Sequence, residues 1–152
     1  MPDARTHRGV ATLAGVGVGL YAVRNVSTLD AALARILGSV LAANLAAMVP
    51  DVLEPAVHSR HRKVFHSVAA LAGTARVSLR PPQRARLGER EAEAVRLKAH
   101  RAALAPQDPD RLWLWLAEML QHLFIGAAMG APVGYLSHLV LDAGSPRGLP
   151  PV

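Results

Sequence analysis

Three stretches of this chain run without a single Lys, Arg, Asp or Glu: residues 9–23, 36–50 and 119–141. Their apolar content is mostly Ala, Leu and Val, straight-chain or small residues that favour helices over strands built from β-branched and aromatic side chains. The first two are shorter than the ~20 residues a bilayer-spanning helix needs. The third is long enough, but Gly126, Gly130, Pro132 and Gly134 interrupt it and predict two helices meeting at a break near Ala131 and Pro132. By this pattern no stretch is an unambiguous transmembrane helix.

The polar segments between them supply stops and starts. Ser27, Thr28 and Asp30 are candidate caps for the second apolar helix, whose end is expected at Pro50. Residues 67–77 read as a short apolar helix closed by Pro81 and Pro82. Residues 83–104, with Glu89, Glu91 and Glu93 ahead of Arg96, Lys98 and Arg101, read as a solvated surface helix. Pro106 and Pro109 mark a loop, and residues 144–152 a Pro/Gly-rich flexible tail. The fold class expected is all-α: a compact bundle of short apolar helices forming one domain over residues 1–152, with residues 80–110 a basic surface insertion.

Composition narrows this picture. A chain of 152 residues has apolar material for one core. Cys is absent, which rules out disulfides and thiolate metal sites and leaves imidazole, carboxylate and water as ligands for any ion. The net charge of +6 is concentrated: from Arg80 to Arg101 there are seven Lys or Arg against three Glu, a local excess of four. With aromatics at only 4%, that patch lacks the stacking surface of a single-strand nucleic-acid binder, and a nucleic-acid partner is disfavoured. Arg5 and Arg8 ahead of the first apolar run imitate a signal peptide, but no small-residue cleavage site follows, so the segment is expected to be retained.

Seven His residues in so apolar a chain call for an explanation, because His is favoured neither in cores nor in membranes. The segment PDVLEPAVHSRHRKVFHS places Asp51 and Glu54 ahead of His58, His61 and His66, and GYLSHLVLDAGSPRGLP places His138 four residues before Asp142. On a helix that last spacing puts both side chains on one face, where they can grip one ion or Asp142 can orient the imidazole. His61 and His66, five apart, point in different directions on a regular helix, so His61 is expected in a loop and His66 at the next helix start, with Ser67 beside it as a cap. Asp51 beside the unsatisfied carbonyls of a helix end is unfavourable without a nearby cation, which a metal would supply. The competing reading makes these residues unrelated polar groups at loop ends. His122 reads as a hydrogen-bonded packing residue and His100 as a solvated one.

Four pieces of the chain together resemble a family of membrane-bound, metal-dependent hydrolases of unknown substrate, distantly similar to zinc-dependent phospholipases. They are Thr6-His7 opening the first helix, Pro50-Asp51 ending the second, HRKVFHS from His61 to Ser67, and YLSHLVLDAGSPRG from Tyr135 to Gly148. Residues 79–110 carry none of the motifs. The resemblance implies His7, Asp51, His61, His66, His138 and Asp142 as metal ligands or their immediate partners. The family often carries a second Asp two residues after the first, where this chain has Leu53 followed by Glu54.

The expected function is metal-dependent hydrolysis of a phosphodiester or phospholipid, with a divalent ion, zinc by its donor set, and Asp51 or Glu54 as general base. Arg62 and Lys63 are candidates to steady an anionic substrate. The alternative is a non-catalytic membrane protein in which the metal only staples helices. A hairpin of the first two apolar helices would bring His7 and Asp51 to one side, and a return near Pro132 would bring His138 and Asp142 there as well. Within a bilayer, with membrane lipid as partner, the basic segment is expected on that same side and, by the positive-inside rule, the site faces the cytoplasm at the inner membrane. A soluble cytoplasmic bundle is the alternative, because Arg35, Asn44, Glu118 and Gln121 interrupt the apolar faces and the mean hydropathy is a modest +0.23.

Overall fold

A computed structural model describes residues 4–53, 67–78 and 80–144. Among them the chain is all-α, as expected, with five helices: α1 (Ala4–Val23), α2 (Leu29–Leu53), α3 (Val68–Ser78), α4 (Pro81–Ala103) and α5 (Asp110–Ala143). Local chemistry explains the starts. The turn after α1 is closed by the Val26 N–H on the Val23 carbonyl at 2.9 Å, and Asp30 Oδ1 accepts the Ala31 N–H at 2.9 Å in the first turn of α2. Ser67 caps α3 by accepting the Ala70 N–H at 3.1 Å. Pro81 opens α4, where its missing N–H costs nothing. Arg111 ties the α4–α5 loop by donating to the carbonyls of Arg101 and Leu104.

Two predicted breaks are absent. α2 continues through Pro50 to Leu53, and α5 continues through Pro132 for its full 34 residues, so the expected pair of helices meeting near Ala131 and Pro132 is one helix. A proline removes one helical hydrogen bond. Here the surrounding turns are clamped between neighbouring helices, and that packing carries the helix through.

The clamp is a run of small residues. Gly126, Gly130 and Gly134 recur every fourth residue on α5 and face Arg35, Ser39 and Ala43, which recur likewise on α2. A Cβ on any of these glycines would land on the carbonyl oxygen of the α2 residue opposite, and one on Gly38 would land on that of Leu123. The two backbones therefore run parallel in direct contact, a small-xxx-small packing typical of helices associating in lipid. α1 packs antiparallel on α2 in a similar way. A Cβ on Gly15 would meet Val40 Cα at 2.9 Å, the Ser39 hydroxyl donates to the Gly15 carbonyl at 2.8 Å, and Asn44 donates to Thr12 Oγ1 at 3.0 Å.

Small residues inside leave the large ones outside. Leu29, Leu33, Leu37, Leu41 and Leu45 form one exposed stripe along α2, continued by Val49 and Val52, and Leu116, Leu120 and Phe124 are exposed on α5. α2 and α5 are each long and apolar enough to cross a membrane. Arg35 and Glu118, two of the polar residues that interrupt the sequence pattern, are buried instead. Arg35 donates to His122 Nδ1 at 3.0 Å and pairs with Glu91 at 3.1 Å, and the buried Glu118 pairs with Arg101 at 2.8 Å.

The C-terminal part of the basic helix lies away from the expected ligands. Lys98 hydrogen-bonds Ser27 in the α1–α2 turn, at the opposite end of α1 from His7. At ~1.5 Å per residue the 20-residue α1 separates those ends by ~30 Å.

Candidate metal centre

Helix direction assembles the site. α1 begins, and α2 and α5 end, at one end of the bundle, so the first turn of α1 brings His7, the last turn of α2 Asp51, and the last turns of α5 His138 and Asp142. His7, His138 and Asp142 are buried, the latter two to 1% exposure. One ligand atom from each lies within 4.8 Å of the others. The imidazoles of His7 and His138 stack with centroids 4.0 Å apart and planes 24° apart, presenting Nε2 from both rings to the same carboxylate.

The separations bear on how these groups are used. His7 Nε2 stands 3.6 Å from Asp142 Oδ1, His138 Nε2 stands 3.5 Å from Asp142 Oδ2, and His138 Nε2 stands 3.6 Å from Asp51 Oδ1. A charge-assisted hydrogen bond between these atoms would close to ~2.7–2.9 Å. Four ligands placed tetrahedrally at ~2.1 Å from a zinc-sized ion are ~3.4 Å from one another. The separations are longer than those hydrogen bonds and fall in the range of ligand-to-ligand distances around an ion of that size, with Asp142 turning one oxygen to each ring. Two imidazole nitrogens with carboxylate oxygens are the donor set of a borderline divalent ion such as zinc.

Asp51 differs from the other three in being on the surface, its side chain 61% exposed. It lines an opening of about 240 Å³ with His7, Arg8, Ala47, Met48 and Val52. Of the cluster, His7 shares this opening with Asp51 and Arg8. Arg8 was not singled out from sequence, where it reads as one of two charges flanking an apolar run; its position one residue from His7 is the signal that identifies it.

Of the six expected ligands, the structure brings together His7, Asp51, His138 and Asp142. His61 and His66 lie outside the described residues, as do Glu54, Arg62 and Lys63. His122 is buried with its Nδ1 accepting from Arg35, the packing role expected of it, and His100 is exposed. Comparison with protein-family models, with curated proteins and with solved structures finds no match for this chain.

Proposed function

We propose that the chain is a membrane-embedded, metal-dependent hydrolase that cleaves a phosphodiester or phospholipid, with His7, His138 and Asp142 holding a divalent ion, zinc by its donor set, and a fourth position left to water beside Asp51. The observation that carries this reading is the convergence of the buried His7, His138 and Asp142, from the start of α1 and the end of α5, with ligand atoms within 4.8 Å of one another. When bound, such an ion supplies acidification of water toward neutrality and polarisation of a phosphoryl oxygen. The protein's own groups do the rest. Asp51, at the solvent-facing mouth, is placed to take a proton from the attacking water, and Arg8 beside it offers a cation to an anionic substrate.

Membrane embedding is supported by the exposed leucine stripe of α2 and by the glycine-mediated α2–α5 contact. The whole of α2, 25 residues and ~37 Å at ~1.5 Å per residue, is long enough to cross the ~30 Å of a hydrocarbon layer. The metal centre then sits at one membrane face, where a lipid phosphate is within reach.

The burial of His7, His138 and Asp142 favours one further reading, in which the ion staples the start of α1 to the end of α5 and catalyses nothing. Elemental mass spectrometry on detergent-purified protein tests the shared premise. Stoichiometric metal in the wild type, lost in both His138→Ala and Asp142→Ala, establishes the centre; a metal-repleted wild type that binds none ends both readings. Cobalt substitution then separates them. A visible spectrum that shifts when phosphate is added shows an open coordination position, which hydrolysis needs, and an inert spectrum leaves the staple.

A further inference from the structure

The end of the bundle remote from the metal centre contains a second polar cavity, of about 320 Å³, between the α1–α2 turn, α4 and α5. Its walls carry three cations, Arg24, Arg35 and Lys98, and two carboxylates, Glu91 and Glu118. The carboxylates are already engaged, Glu91 by Arg35 and Glu118 by Arg101. Arg24 and Lys98 instead hydrogen-bond neutral hydroxyls, Tyr21 at 2.6 Å and Ser27 at 3.1 Å, and among the described residues neither meets a carboxylate. Among the described residues these two cations thus lack a carboxylate, Arg24 lying 3.7 Å over the Tyr21 ring, at the mouth of a cavity that also presents Ser27 and Thr28. Its size is at the lower end of the ~300–1,000 Å³ of small-ligand pockets.

The level of this cavity along the bundle identifies the kind of anion. Tyr21 in the cavity wall is 55% exposed, Trp115 donates its indole N–H to Asp30 at 2.7 Å, and Trp113, nearer the start of α5, is 67% exposed. Aromatic rings of this amphipathic kind gather where hydrocarbon gives way to headgroups. The leucine stripe of α2 starts at the same level, with Leu29 and Leu33.

We infer that this cavity binds a phosphate ester, with Arg24 and Lys98 as the charged clamp and a phospholipid headgroup as the source that the surrounding aromatic and leucine surface favours. The site is separate from the metal centre and does not depend on its chemistry. Arg and Lys suit a phosphate oxyanion, and a juxtamembrane cation contributes ~1 kcal/mol toward anionic lipid before any direct contact.

The test uses the full chain in nanodiscs of phosphatidylcholine alone or with phosphatidylglycerol, followed by native mass spectrometry of lipid retained after detergent release. Wild type is expected to retain phosphatidylglycerol, and the Arg24→Gln/Lys98→Gln double variant to retain about tenfold less, since losing two charge-assisted contacts costs at least ~1.4 kcal/mol. Calorimetry with soluble glycerol 1-phosphate is the second arm. Binding there that the double variant loses, without lipid retention, keeps the phosphate-ester site and reassigns its source to a free ester. Equal lipid retention by wild type and double variant, together with no glycerol 1-phosphate binding, overturns the proposal. Both positions are at the cavity mouth, and helical circular dichroism checks that the variant is folded.

Discussion

His138 Nε2 and Asp142 Oδ2, one helical turn apart on α5, are held 3.5 Å from each other in a site where both side chains are 1% exposed. That separation suits two ligands of one ion as well as a longer ion pair, and the amide variant separates the two uses. Asp142→Asn keeps the shape but replaces one carboxylate oxygen by an amide, and it is expected to weaken metal retention by at least tenfold with helicity unchanged. Metal content after dialysis against a weak chelator, measured beside circular dichroism, checks it; full retention by the variant would remove Asp142 from the ligand set.

Metal retention should depend on pH in a stated direction. An imidazole coordinates only when neutral, so protons compete with the ion at His7 and His138. Affinity is expected to fall on acidification. Titration with a chromophoric chelator reads it, and an affinity that rises on acidification would be incompatible with an imidazole-bound ion.

The α2–α5 contact and the α2 stripe predict opposite sensitivities. Gly134→Leu drives a side chain into the backbone of α2 at Ala43 and is expected to abolish the folded bundle, while Leu41→Ala on the exposed stripe changes stability by no more than ~0.5 kcal/mol. Thermal unfolding in detergent compares them. Leu41→Arg separates the membrane reading from a soluble one, because an arginine facing hydrocarbon costs ~2.5–3.5 kcal/mol on insertion. It should move protein out of the carbonate-resistant membrane fraction, and an unchanged distribution would count against embedding.

Arg35→Met removes donors to His122 Nδ1, the Ala22 carbonyl and Glu91 together. Its volume is nearly kept, so the cost is that of polar groups left unsatisfied, ~2–4 kcal/mol. Unfolding midpoints report it. Adding His122→Leu to that variant should recover part of the loss, since it removes the acceptor that Arg35 had satisfied.

Much of this molecule is legible along the chain. The Ala- and Leu-rich runs made it helical, Pro81, Pro106 and Pro109 marked where α4 begins and the next loop lies, Ser67 announced its own cap, and the spacing of His138 and Asp142 placed both on one helical face. These are local properties, set by side-chain and backbone chemistry within a turn or two. What only the tertiary structure decided involves elements far apart in sequence. Pro132 reads as a break, but stacking Gly126, Gly130 and Gly134 on α2 keeps α5 whole, and a periodicity of glycines does not say which helix will cover it. Arg35 and Glu118 read as interruptions of an apolar face, yet partners 56 and 17 residues away turn them inward. The basic segment was expected beside the ligands, and the return path of α4 along α5 carries Lys98 and Arg101 to the other end. The convergence of His7, Asp51, His138 and Asp142 rests on the parallel course of α2 and α5 with α1 antiparallel to both, because direct backbone contact sets the register that brings their ends level.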